Sequence, residues 1–391
     1  MPPPSETPGR DLTSSPTVPF PTPTEAITGH DAGDNTVPQT TSHPTGGEKR
    51  TGATQVLTGT NPLDAAAPPV TPSGDAALDV RDLVGKAARQ GGLILVIVVL
   101  VVGFGIAKPF FFDSANLVNV LLQAAVVGIL ALGQTYVLLT GGIDLSIGST
   151  VAVTAVCSGL FAHSMPPVLA IVLALVVGAL CGLVNGVLIT VTKITPFIVT
   201  LGTMSIYAGL ALIIAGGQAV YGIPTGFQNA LAGAVGSIPI PVVLFVVLTI
   251  VSAFVLKYTK FGEYLVAIGG NSEVARLAGI RVGKHTATAY IVAGTAAGLA
   301  GSVLTARLGA ADPTLGADLL LTAIAATVMG GTRLEGGYGS MAGAAFGAIL
   351  IATLTAGLTS LNVQAFYQQV AVGAAIILAL LVDQLAKRRK A

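Results

Sequence analysis

The sequence predicts an all-α, polytopic membrane protein of about ten transmembrane helices, with the N- and C-termini both cytoplasmic. Three observations carry that expectation. Hydrophobic residues make up 52% of the 391-residue chain and charged residues 9%, with a mean hydropathy of +0.81; a water-soluble domain carries roughly a quarter charged residues. Apolar runs of about 20 residues, the length that crosses a bilayer, recur from Gly91 onward. Lys and Arg fall almost wholly on alternate connections between those runs.

In chain order, residues 1–78 are rich in Pro, Thr, Ser, Gly and Ala, without apolar periodicity. Such a segment cannot bury enough surface to offset its ordering entropy, so a disordered cytoplasmic tail is expected. Its start, MPPPSETPGR, lacks the basic and apolar regions of a signal peptide. Residues 79–90 (DVRDLVGKAARQ) read as a short amphipathic helix at the membrane surface. The membrane domain is placed at 91–386, with spans at 92–107, 117–139, 145–163, 168–191, 197–216, 240–257, 286–306, 318–331, 340–359 and 368–385. Gly and Thr dilute the third and eighth of these. A basic cytoplasmic end, 387–391, closes the chain.

With the N-terminus inside, the cytoplasmic connections receive Arg81, Lys86, Arg89, Lys193, Lys257, Lys260, Arg276, Arg281, Lys284, Arg333, Lys387, Arg388, Arg389 and Lys390, and the outside only Lys108 and Arg307. Fourteen against two fixes the orientation and favours an even number of spans. The longest external connection, 217–239, holds Pro and Gly turns around Tyr221 and Phe227; it can meet an extracytoplasmic protein or form a surface or re-entrant helix.

Inside the spans, Gly178, Gly182 and Gly186 form a double small-xxx-small ladder, repeated by Gly294 with Gly298 and by Gly343 with Gly347. Such ladders allow backbones to approach closely. Residues 133–149, GQTYVLLTGGIDLSIGS, are different in kind. Gly141 and Gly142 break the helix, and Asp144 follows, flanked by Ser146 and Ser149. A carboxylate this near the membrane is costly unless paired or hydrated. It can cap the next helix through the N–H groups of residues 146 and 147, or it can couple an ion or line a pathway; no second buried charge is available as its partner. Gln134 and Asn185 are the other intramembrane polar groups, suited to bonds across helices or to a polar lumen.

The stretch from Lys257 to Lys284 carries seven charged residues between two apolar runs. Asn271 can cap a short helix beginning near Ser272, with Glu273 in its first turn, where the helix dipole favours an anion. Gly279 supplies the stop. Val274, Leu277 and Ala278 share one face of it. Such a helix suits insertion into a groove on a soluble partner, or is an ordinary solvated loop.

Several functions are excluded. The basic residues sort by membrane side, so they do not indicate nucleic acid. Cys157 and Cys181 both lie in apolar spans, and with four His no metal centre is implied. The nearest approach to a phosphate loop, Gly279 to His285, has three residues between its glycines instead of four, and His285 where Ser or Thr should hold magnesium. With no nucleophile–base pair either, the chain is not expected to be an enzyme.

Five ordered blocks then resemble a family. TGGIDLSIGS (140–149), NGVLITVTKITPFIVTLGTMSIYAGLA (185–211), AIGGNSEVARLAGIRV (267–282), GGTRLEGGYGSMAGAAFGAIL (330–350) and the ending YQQVAVGAAIILALLVDQ resemble permease subunits of ribose-type sugar ABC importers. The resemblance covers roughly residues 92–386. It implies that 271–279 is the coupling helix that docks on the ATP-binding subunit, so that Glu273, Ala275, Arg276, Leu277 and Gly279 take that role. It implies import of a ribose-like pentose, a hexose or a related polyol across the bacterial plasma (inner) membrane. It also implies a second permease copy, an extracytoplasmic sugar-binding protein, and ATP with Mg hydrolysed by the partner subunit, this chain binding no cofactor itself. After Gly337 the sequence departs from the family pattern: Tyr338-Gly339-Ser340 stands where a basic residue often lies on each side of the glycine. Two other readings are an ion-coupled secondary transporter, which would show more paired intramembrane charges than one Asp144, and a non-transporting scaffold or receptor, which has no need of the coupling pattern.

Overall fold

The computed structural model describes residues 80–388; the expectations for the tail before residue 80 and for the basic residues after Arg388 lie outside it. Ten helices account for the spans: α1 Val80–Ala107, α2 Ser114–Leu139, α3 Ile147–Ser164, α4 Pro167–Thr192, α5 Pro196–Ile214, α7 Ile240–Tyr258, α10 Val282–Leu308, α11 Ala317–Met329, α12 Met341–Ser360 and α13 Ala365–Arg388. Between them lie α6 Thr225–Ala232, α8 Lys260–Gly270 and α9 Ser272–Leu277. Seven of the ten are long and apolar enough to cross a membrane outright, and the apolar stretches Gly91–Ala107, Ala317–Met329 and Ala365–Leu378 supply the other three. The surface helix expected at 79–90 and the first span share one unbroken helix, α1. Gly91 and Gly92 do not interrupt it, because a helix entering a bilayer satisfies its own backbone groups.

α2 is the centre of the bundle, packed against α7, α10, α11 and α12, with α3 held against α10 on the far side. The two glycine ladders find each other. A side chain at Gly178 would strike the Gly294 carbonyl, one at Gly182 the Tyr290 carbonyl, and one at Gly186 Ala287, so α4 and α10 lie backbone to backbone. Gly343 and Gly347 do the same against Gly330 and Ala326 of α11. Hydroxyls add little by comparison. Thr154 Oγ1 donates to the Ala297 carbonyl at 3.2 Å and Thr305 Oγ1 to the Ala155 carbonyl at 3.2 Å, bonds worth about 0.6 kcal/mol each between membrane helices. Close packing of small residues therefore holds α10 in place. Outward faces carry large apolar side chains such as Ile106, Val191 and Ile213, as a lipid boundary requires.

α11 breaks the pattern of full spans. Its 13 residues reach about 20 Å, short of the roughly 30 Å hydrocarbon core. Extended chain completes the crossing: β4 (Ala310–Ala311) pairs antiparallel with β1 (Val220–Tyr221), and Gly316, at φ +101°, lies against the Gly148 carbonyl. Non-helical backbone is tolerated there because protein surrounds it. The external connection is a surface helix, α6, anchored by buried Phe227 and Leu231, followed by a hairpin of β2 (Ala234–Val235) and β3 (Ile238–Pro239).

Candidate functional site

On the face that the Lys/Arg bias assigns to the cytoplasm, α9 is fixed at both ends by its own sequence. Asn271 Oδ1 accepts from the N–H groups of Glu273 and Val274, both at 3.0 Å. At the other end the Gly279 N–H donates to the Arg276 carbonyl and the Ile280 N–H to the Ala275 carbonyl, each at 3.0 Å. This paired closure needs a left-handed residue, and Gly279 provides it at φ +84°. Six residues would not stay helical alone; the two caps and one buried contact hold them.

The five residues assigned to partner docking separate into two groups. Ala275 is 3% exposed, so it seats α9 on the rest of the chain and does not face outward. Leu277 is 77% exposed and Val274, three residues before it, is 59% exposed, an apolar pair on the outward side of α9. Glu273 and Arg276 rim that pair and bond to each other, with Arg276 Nη2 2.5 Å from Glu273 Oε1. The hydrogen bond from Arg276, with its charge, lowers the Glu273 carboxyl below its ordinary pKa.

The turn that carries Asp144 follows α2 on the same face. The Gly141 N–H donates to the Leu138 carbonyl at 2.9 Å and the Gly142 N–H to the Val137 carbonyl at 3.3 Å, which ends α2. Gly142 packs beneath the Tyr290 hydroxyl and leaves no room for a side chain. Asp144 is 2% exposed, and its Oδ1 accepts from the Ser146 N–H at 2.9 Å and the Ser146 hydroxyl at 2.7 Å. No bond joins it to the residue 147 N–H among those described, so it braces the turn before α3 and leaves Ser146 as the helix N-cap. Standing at the α3 N-terminus, the carboxylate also meets the positive end of the helix dipole. Asn185 Nδ2 donates to the Ser146 hydroxyl at 2.7 Å, tying α4 to the turn, and Thr200 Oγ1 donates to the Ile143 carbonyl at 3.0 Å, tying in α5.

These polar residues are buried within the chain: Gln134 and Ser146 are 0% exposed and Asn185 1%. Among the described residues, neither the Nε2 nor the Oε1 of Gln134 has a hydrogen-bond partner. Asp144, Ser146 and Asn185 form one connected network, whereas Gln134 stands apart from it in bonding. Sequence reasoning gave no role to Tyr290 or Thr200, which close over the turn from α10 and α5. Neither carries a sequence signal, since both are ordinary residues of apolar spans. Arg333 lies over the Tyr338 ring at 5.1 Å, so the residue that departs from the family pattern holds a cation of its own loop.

Comparison with known proteins gives a consistent picture. Residues 116–380 match the BPD_transp_2 family, described as "Branched-chain amino acid transport system / permease component". The chain is 42% identical over 296 residues to the ribose import permease protein RbsC of Bacillus subtilis (strain 168), covering 75% of this chain and 92% of the relative. It is 36% identical over 297 residues to the D-allose transport system permease protein AlsC of Escherichia coli (strain K12), covering 75% and 91%. With the L-arabinose ABC transporter permease protein AraH of Azospirillum brasilense it shares 34% over 324 residues, covering 82% and 96%. No solved structure matches it.

Proposed function

Because the chain belongs to the BPD_transp_2 permease family, we propose that it is the membrane-spanning subunit of an ATP-driven importer for a pentose, hexose or related polyol. The family description speaks of branched-chain amino acids, but the similar relatives above are named for ribose, allose and arabinose, which favours a monosaccharide. In this reading the chain is a multi-pass protein of the bacterial inner membrane and carries out no chemistry itself. A separate subunit hydrolyses ATP with Mg, an extracytoplasmic protein delivers the sugar, and a second permease copy completes the pathway.

The observation that carries the mechanical part is α9: a helix capped at both ends, seated by Ala275, that offers Val274 and Leu277 to solvent. An apolar pair on a short rigid helix fits a groove on the ATP-binding subunit, and burying it there is worth roughly 1.5–3 kcal/mol per side chain. ATP-driven closure of the motor subunits then moves α9, and with it the spans, between inward- and outward-facing states, provided the motor binds the two states with different affinity. Asp144 takes a structural part: Ser146 and the α3 N-terminus hold its carboxyl, and burial, outweighing those bonds, pushes its pKa up to about 6.

The test is Leu277→Asp and Val274→Asp in the assembled importer. Each chain is expected to be inserted and folded, yet to retain less of the ATP-binding subunit on purification and to lose sugar uptake. Normal retention and normal uptake in both variants would remove α9 from the mechanism. Uptake that survives ATP depletion but collapses with an uncoupler would indicate an ion-driven transporter instead.

A further inference from the structure

Beyond α9 itself, three cytoplasmic segments meet with only backbone between them. At the end of α2 the Leu139 carbonyl accepts from the Gly337 N–H at 3.0 Å. A side chain on Gly269, in the last turn of α8, would collide with that same carbonyl and with the Gly337 nitrogen. One on Gly336 would lie 2.7 Å from the Gly141 nitrogen and 3.0 Å from the Gly269 Cα, and one on Gly337 would lie 3.0 Å from the Gly270 nitrogen. Gly336 and Gly337 also hold φ of +91° and +72°, a region closed to most residues with a side chain. The α2 end, the α8 end and the 330–340 loop thus share one contact built from glycine.

Two features make this contact stiff. The atoms nearest to a Cβ placed on Gly269, Gly336 or Gly337 are all backbone, so the approach between the segments is set by main chain and not by rotamers; close-packed atoms pass strain on. And α8 runs into α9 without slack: Asn271 is at once the C-cap of α8, through its N–H to the Ala267 carbonyl at 3.1 Å, and the N-cap of α9.

We propose that Gly269, Gly336 and Gly337 are positioning residues that join the α2 end, the α8–α9 hairpin and the 330–340 loop into one moving body. A displacement of α9 then reaches the Asp144 turn, through Gly141, and the foot of α12, through Ser340, at the same time. The proposal rests on α9 being the contact with the ATP-binding subunit, and it adds the route by which that contact reaches two pairs of spans. Arg333 and Glu335 ride on this body as exposed charges and need not touch the partner for it to work.

Two measurements test it. In the assembled importer, with Cys157 and Cys181 replaced by Ala, spin labels are placed at Ser272→Cys and Glu335→Cys, both exposed positions. Their separation is expected to stay the same in the nucleotide-free and ATP-bound complexes. Gly269→Ala, which wedges the contact apart, is expected to keep the ATP-binding subunit bound and hydrolysing while uptake falls roughly tenfold. A label separation that changes by more than about 5 Å on ATP binding, a one-turn slip, overturns the proposal, and so does native uptake by Gly269→Ala. Should that variant fail to assemble, the label distance in the glycine-intact chain decides alone. Failure of the underlying reading is seen separately: Leu277→Asp would then keep its ATP-binding subunit.

Discussion

α2 and α11 end on the same face of the bundle with the same backbone device, and the chain then does opposite things. At α2, Gly141 at φ +78° places two N–H groups on the Leu138 and Val137 carbonyls. At α11, Gly331 at φ +93° does likewise: its N–H donates to the Val328 carbonyl at 2.8 Å and the Thr332 N–H to the Thr327 carbonyl at 3.2 Å. After α2 the chain turns inward and buries Asp144; after α11 it turns outward and exposes Arg333 and Glu335. The helices that follow are started differently too. Asp144 braces Ser146 ahead of α3, whereas Ser340 caps α12 by accepting from the Gly343 N–H at 3.1 Å. The glycine stop decides where a span ends. Whether the next charge goes in or out depends on what can solvate it: on the inward turn Asp144 meets a helix N-terminus and the Ser146 N–H and hydroxyl, with the Asn185 amide donating to that hydroxyl.

The comparison breaks hardest at Asp144. Asp144→Leu leaves the Ser146 N–H buried without its acceptor and should cost about 2–3 kcal/mol, the penalty of an orphaned buried polar group. Thermal unfolding of the detergent-purified chain would show it, and a native midpoint would mean that the network carries no stability. Ser340→Ala removes a cap from the outward loop and should cost about 1 kcal/mol, visible by the same measurement. Asp144→Asn keeps an acceptor in place and loses only the charge-assisted part of the bonds, at most about 1 kcal/mol, so uptake should survive. If Asn abolishes transport in a folded chain, the charge itself does work and an ion-coupled mechanism returns.

Most of this architecture was legible because membrane spans announce themselves by length and by the Lys/Arg bias. The third and eighth spans, expected at 145–163 and 318–331, are helical over 147–164 and 317–329. That α11 is only part of a crossing was not legible, because Gly309 to Gly316 (GAADPTLG) reads as an ordinary turn between two spans and its pairing with β1 is a contact between residues far apart in sequence. The α9 caps were readable, since Asn271 and Gly279 act on their immediate neighbours. That the Ala275 side chain is buried was not readable for a simpler reason: on six residues of helix, sequence spacing does not say which face meets the rest of the chain. Gln134 reads as a bonding residue by type, yet among the described residues its amide has no hydrogen-bond partner. The glycine contact of Gly269 with Gly336 and Gly337 was hidden because each Gly-Gly pair alone reads as an ordinary helix end or turn.

The smallest expected effect sharpens the comparison from the other side. Glu335 follows the α11 stop at nearly the place where Asp144 follows the α2 stop, but its side chain is exposed. What it gives the glycine contact is backbone: its carbonyl oxygen would lie 3.3 Å from a Cβ on Gly141, and Ala would keep that carbonyl. Surface changes away from caps and cores usually stay within about 0.5 kcal/mol, so Glu335→Ala should leave both the unfolding midpoint and sugar uptake near native. A large loss of uptake with native stability would mean that the Glu335 carboxylate itself contacts a partner, making the outward loop a second docking element. Native values in both would place the work of that loop in its backbone.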